Sequence, residues 1–175
     1  MAADRIDAHA HYLPEGYRGV LAQADQLRPD GITGLPDWDP ESALAAMNHL
    51  GVKTAVLSIS STGVHVGNAA QAIELARLVN EDSARIVTDN PDRFGLFASL
   101  PLPEVDAAVA EAKYALDHLN ADGVVLMTNH CDIYLGDEQL RPLYAERNAR
   151  SAVAFMQARC SALPHQPSAA SAYLN

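Results

Sequence analysis

Asp7-Ala8-His9-Ala10-His11 places two imidazoles one residue apart near the start of the chain. In an extended segment, residues two apart project to one face. Both rings then point the same way and can converge on a first-row metal ion. With 7 histidines in 175 residues, chance alone supplies about 0.3 His-x-His pairs per chain. The pair gains meaning from its place, at the end of a strand-like run and ahead of a loop. On spacing alone, two half-exposed histidines closing a strand are the competing reading.

A second polar group, Asn129-His130-Cys131-Asp132, follows a later apolar run, and Asn129 and His130 are candidate substrate contacts. A Cys–His nucleophile pairing there lacks any activating neighbour in the sequence. His65 reads as a loop histidine, and His49 and His118 fall near helix ends, where the dipole suits them. Arg18 and Arg28 could pair with a carboxylate but read as solvated surface, and Trp38 reads as a packing anchor. Gly63-Val64-His65-Val66-Gly67 has the wrong spacing for either nucleotide-binding glycine fingerprint.

The elements that must position these residues alternate along the chain. Five apolar runs, at 5–8, 53–59, 94–100, 123–127 and 152–156, read as strands. Between them lie helical periods. Val105, Ala108, Val109, Ala112, Leu116 and Leu119 form one stripe, and Ala72, Leu75, Ala76, Val79 and Ile86 form another that stops at Asn90-Pro91. Asp39-Pro40-Glu41 combines an N-cap, a proline at the first helical position and an acid in the first turn, and Gly51 ends that helix. A further helix starts near Asp137, with Pro142 in its first turn. Strands separated by helices imply parallel pairing with right-handed crossovers, in a (β/α) barrel or a doubly wound sheet. The segment 25–37 holds Pro29, Gly31, Gly34 and Pro36 and reads as a loop, of the kind that often carries function. The segment 157–175 has no periodicity and reads as an irregular tail.

Composition narrows the class. Apolar residues make up 49% and charged residues 19%, enough for a core and too few charges for disorder. Twelve basic against 22 acidic residues give a net charge of −10, which opposes binding to nucleic acid or anionic lipid. There is no apolar run of membrane-spanning length and no leader-like N-terminus. Cys131 and Cys160 form neither a disulfide framework nor a zinc-finger spacing. A cytoplasmic protein with free thiols is expected.

Arg5-Ile6-Asp7-Ala8-His9-Ala10-His11-Tyr12-Leu13-Pro14 resembles the opening of the amidohydrolase-related metal-dependent barrels. The narrower resemblance is to the branch containing aminocarboxymuconate-semialdehyde and 6-methylsalicylate decarboxylases. Asp37-Trp38-Asp39-Pro40-Glu41, Ala55-Val56-Leu57-Ser58-Ile59-Ser60, the run 93–102 and the run 123–129 agree in order, over residues 4–156. The resemblance implies the N-terminal portion, about five strands, of a TIM (β/α)₈ barrel. It also implies a divalent ion, zinc or manganese, held in part by His9 and His11, and a small aromatic or unsaturated carboxylic acid as substrate. The reaction implied is non-oxidative decarboxylation without an organic cofactor, or hydrolysis of an amide, ester or lactone on the same site.

The chain departs from the family pattern at Gln157, where the fifth strand is expected to end in His-Pro. A glutamine amide is a poor zinc ligand beside imidazole. His165 lies in the tail and matches no family motif. Eight βα units take ~250 residues, so the chain reads as truncated after a partial barrel at 1–156. The tail at 157–175 would then be a possible product of a shifted reading frame. An inactive barrel fragment is thus the third functional expectation. Its open sheet edges would invite a homo-oligomer.

Overall fold

The structure, a computed structural model, describes residues 5–28, 34–131 and 133–158. Asp132, Cys160, His165 and most of the expected tail lie outside the described residues, as do Pro29 and Gly31 of the expected loop.

Five strands form the main sheet: β1 Arg5–His11, β2 Val52–Ser58, β3 Phe94–Ser99, β4 Gly123–Met127 and, last in the chain, β7 Val153–Gln157. Their spatial order is β1-β2-β3-β4-β7 and every neighbouring pair is parallel. Each strand is added on the same side of the last. A doubly wound sheet reverses direction at a switch point; this one does not, which leaves the barrel alternative. Between β4 and β7 a short antiparallel hairpin, β5 Asn129–His130 with β6 Ile133–Tyr134, adds two strands that sequence periodicity does not reveal.

The helices are α1 Glu15–Gln23, α2 Pro40–Leu50, α3 Ala69–Asp89, α4 Val105–His118 and α5 Arg141–Ala149. Asp39 caps α2 by accepting from the Ser42 N–H at 2.8 Å, and Gly51 ends it with φ 69°, where a side chain would be strained. Asn68 caps α3 in the same way, through Gln71 N–H. Asp137 caps a 3₁₀ turn, Glu138–Leu140, that runs into α5 with Pro142 in its first turn. The helix α1 was not expected. It has only nine residues, and Gly16 and Gly19 dilute its pattern, but Tyr17 and Leu21 sit one turn apart and are fully buried.

Helices cover one face of the sheet. Ala55 and Leu57 of β2 join Tyr17, Leu21, Met47, Leu75, Ala76 and Val79 in one core cluster. Ala98, Val124 and Leu126 join Ala108, Ala112, Leu140 and Leu143 in a second. The buried stripe of α4 differs from the expected one: Ala108, Glu111, Ala112 and Ala115 are buried, and Leu116 is only half-buried. A buried carboxylate needs partners, and α3 supplies them. Arg77 donates to Glu111 through Nε and Nη2 at 3.0 and 2.8 Å, and Asn80 Nδ2 donates to it at 2.8 Å. The same Asn80 donates to Ser99 O at 2.9 Å and accepts from Ser99 N at 2.8 Å, tying α3 to the end of β3.

The opposite face is concave. His9 of β1 stacks on Phe155 of β7 at 4.6 Å between ring centroids, and Phe155 stacks on Phe97 of β3 at 5.7 Å. The first and last strands of the sheet therefore meet across its interior, so the sheet curls as a half-barrel. Gly123 permits the last pairing, since a Cβ there would lie 2.4 Å from the Val153 carbonyl oxygen. Among the described residues no strand pairs with the outer side of β1 or β7, where Ile6 is 67% exposed, Val153 53% and Met156 67%.

Because Asn80 satisfies both backbone groups of Ser99 and shares one oxygen of Glu111 with Arg77, Asn80→Leu leaves two buried backbone groups unpaired and that oxygen with only a 3.4 Å bond. It is expected to destabilise the chain by about 2–4 kcal/mol, measured as a lowered urea midpoint with unchanged slope.

Candidate metal site

Both histidines lie inside β1, which runs three residues beyond the expected end at residue 8. The added length follows from pairing with β2, which continues through a bulge. Asp7 stands opposite Ala55 and Ala10 opposite Leu57, so Ala8 and His9 together face Val56. In the bulge the His9 N–H leaves the ladder and is accepted by Asp7 Oδ1 at 3.1 Å. Beyond it, His11 pairs with Ser58, the last residue of β2.

This geometry brings the two rings together. His9 Nε2 and His11 Nε2 are 2.7 Å apart, with the rings edge to face at 78° and their centroids 4.5 Å apart. The other nitrogen of His9, Nδ1, is 3.1 Å from Ser58 Oγ. With its proton on Nδ1 and donated to the hydroxyl, His9 presents a lone pair at Nε2. That is the tautomer a metal ligand needs. Burial holds both imidazoles below the usual histidine range, and for His9 the neighbouring His11 adds to this, while Asp7 pulls both the other way. Burial thereby favours the neutral form of both rings, the form that ligation requires.

The inward face of β7 adds one more polar group. Ala154 and Met156 line a groove with Leu126 and Tyr144 on the helix side. Phe155 projects to the concave side, and Gln157, two residues on in the same strand, shares its face. Gln157 stands opposite Met127 at the C-terminal end of the sheet, and its Oε1 is buried with no hydrogen-bond partner among the described residues. Gln157 thus belongs to the strand and is not the first residue of a tail. Among the described residues no three His, Cys, Asp or Glu side chains gather as a metal cluster. The two convergent imidazoles nevertheless fit a divalent cation, because two neutral rings that aim nitrogens at one point can each offer a lone pair.

Other candidate residues are placed as follows. Asn129 and His130 are buried in the hairpin after β4, at 6% and 9% exposure. His130 Nε2 accepts the Met127 N–H at 3.3 Å, and Asn129 Nδ2 donates to Cys131 O at 3.5 Å. Both therefore hold the turn that leaves β4. Cys131 is exposed. Arg18 is paired with Asp37, so its charge is already answered. Trp38 packs edge-on against Tyr12 at 5.4 Å, the anchoring role expected of it. Ser58 and Phe155 were missed by motif reading. Their signal lies only in strand-end position and alternation. A groove of about 990 Å³ runs outside the sheet between α3 and α4, away from His9 and His11.

A singly wound parallel sheet with two convergent imidazoles at the C-terminal end of its first strand has the frame of a (β/α) barrel, whose sites lie at that end. Comparison with known proteins makes the assignment specific: residues 6–174 match the amidohydrolase family, and the chain belongs to it. It is 39% identical over 161 residues to the protein named decarboxylase yanB of Aspergillus niger, covering 87% of this chain and 43% of that protein. It is 38% identical over 156 residues to a 6-methylsalicylic acid decarboxylase of Aspergillus aculeatus, covering 87% and 47%. The chain thus spans about half the length of the curated relatives it matches. Among solved structures, an amidohydrolase II superposes with a TM-score of 0.87 at 35% identity, over 93% of this chain and 53% of that one. A 5-carboxyvanillate decarboxylase of Novosphingobium aromaticivorans, solved with manganese and 4-hydroxy-3-methoxy-5-nitrobenzoic acid, shares the fold. Its TM-score is 0.78 at 18% identity, over 87% and 49% of the two chains.

In metal-free protein, the imidazole NMR signals of His9 and His11 should titrate with midpoints below the ~6.5 of an unperturbed histidine. Asp7→Asn should lower both midpoints further, since the carboxylate favours the charged rings. A midpoint above that of free histidine would contradict the burial of the pair.

Proposed function

We propose that this chain builds the His-x-His half of the metal centre of a non-oxidative decarboxylase acting on small aromatic carboxylic acids. The observation that carries the proposal is the convergence of His9 Nε2 and His11 Nε2 at the C-terminal end of β1. The relatives supply the reaction class, since those most similar in sequence are named decarboxylases.

In this reading His9 and His11 hold the cation, and Ser58 fixes the His9 ring by engaging Nδ1. A bound divalent ion would supply positive charge against a carboxylate and acidify water. Phe155 and Phe97 form an apolar wall beside His9, which excludes water and offers a flat surface to an aromatic ring. Asn129 and His130, proposed as substrate contacts, would act from the hairpin after β4, where their side chains hold the turn. Neither a nucleic acid nor a membrane belongs to this reading. The net charge is −10, and no described helix is long and apolar enough to cross a bilayer. A cytoplasmic setting that keeps the thiols reduced does belong to it.

A second reading, the inactive barrel fragment, is favoured by the exposed Ile6, Val153 and Met156 on the two open edges. It brings with it self-association through those edges. The proposed boundary after residue 156 rests on composition, whereas the family match extends to residue 174. Absence of a His-Pro continuation in the other frames of the coding DNA would exclude the frameshift.

Metal content of size-fractionated protein decides between the two readings. About one zinc or manganese per chain, lost in His11→Ala, is expected if the half-barrel builds the site. A ratio near zero in the unmodified chain supports the fragment. Metal-dependent release of carbon dioxide from a salicylate-type acid, abolished by His9→Ala, checks the reaction class. Turnover of esters or lactones alone would assign a hydrolase instead.

A further inference from the structure

Ala55 and Leu57 of β2 pack into the core under the helices, and Ala10 packs against the same cluster. Residues that stand opposite one another in a parallel ladder point to the same side of the sheet. Asp7, opposite Ala55, is therefore on the helix side, as is Ala10, opposite Leu57. Strict alternation from Asp7 would send His9 and His11 to the helix side as well. They take the concave side instead. His9 stacks on Phe155, and His11 stands opposite Ser58 and aims Nε2 at His9. The reversal comes from the bulge, where three steps of β1, from Asp7 to Ala10, match two steps of β2, from Ala55 to Leu57. One residue more than the partner strand moves every later side chain to the other face.

Such a bulge leaves an N–H out of the ladder, and the side chain of Asp7 accepts it: Oδ1 lies 3.1 Å from the His9 nitrogen. Aspartate and asparagine carry an acceptor at the right reach for the N–H two residues on; an aliphatic side chain has none. We infer that Asp7 is a positioning residue, which by accepting the His9 N–H holds the bulge that turns His9 and His11 from the helix side to the concave side. The placement stands on the ladder register and this hydrogen bond, while its value for function rests on the proposed metal site. Asp7 acts here as an acceptor and not as a charge, so an amide serves equally well.

Two readouts on the full chain test this role. In metal-free protein, a nuclear Overhauser effect between the His9 and Phe155 rings, whose centroids are 4.6 Å apart, reports the face that His9 takes. Titration with Mn²⁺, followed by electron paramagnetic resonance of the free ion, reports whether the pair binds. The unmodified chain is expected to show the ring contact and to bind Mn²⁺, and Asp7→Asn to keep both, with affinity within threefold. Asp7→Leu should lose the ring contact and weaken Mn²⁺ at least tenfold. Deleting Ala8 from the leucine variant removes the extra residue, so the strand follows β2 without a bulge and both readouts should return. A ring contact that persists in Asp7→Leu would overturn the inference, and so would its loss in Asp7→Asn. A leucine variant that unfolds, and that deletion of Ala8 does not return to a folded chain with the ring contact, would give Asp7 a general structural role and overturn it too. The expected ring contacts with no Mn²⁺ bound by any chain would remove the metal site and leave the role of Asp7 in place.

Discussion

The stacking of Phe155 between His9 and Phe97 joins the two edges of the sheet across its hollow face, and the other features of the site depend on it. Parallel strands added one after another, each with the same right-handed twist, curl in one direction. The curl brings β7 opposite β1, although four hydrogen-bonded strand interfaces separate them along the sheet. Once the rings touch, His9 is shielded from water on one side. Its remaining freedom is removed by Ser58 at Nδ1 and by His11 at Nε2. An imidazole with one nitrogen held by a hydroxyl and the other aimed at a second imidazole is oriented before any ligand arrives.

Each strand divides its labour between two faces. Convex-side residues such as Leu57, Ala98 and Leu126 pack under the helices and contribute stability. Concave-side residues contribute little to that core and carry the chemistry. The buried polar network of Asn80, Glu111, Arg77 and Ser99 belongs to the first kind, although it is charged. Every described member has a partner, so it fixes the end of β3 and the angle of α3 over α4. It thereby sets where Phe97 stands within the interior.

Membership of the amidohydrolase family explains the frame, and the departures lie at its open margins. The relatives are about twice as long as this chain, and the exposed Ile6, Val153 and Met156 sit on the two outer strands of its sheet. Within the frame, two imidazoles converge on a bulged strand that Phe155 faces across the interior. Bulges re-aim side chains at the cost of ladder hydrogen bonds. Here the lost bond is replaced locally, by Asp7 accepting from His9.

What the sequence determined by itself is local. The strand positions of β2, β3 and β4, the cap at Asp39, the stop at Gly51 and the stripe of α3 all follow from periodicity and turn chemistry over short spans. The candidacy of His9 and His11 followed from a spacing of two in an extended run, and the family from motifs in order. Glu111 as a buried residue, the short helix α1 and the inward placement of Gln157 were not legible. Each depends on a partner distant in sequence: Arg77 and Asn80 across a helix pair, the apolar surface over Tyr17 and Leu21, and the curl that places β7 opposite β1. A spacing of two says that two imidazoles share a face. Only the bulge and the closing of the sheet decide that their nitrogens meet, because that distance is set by register and curvature, which no local stretch of chain encodes.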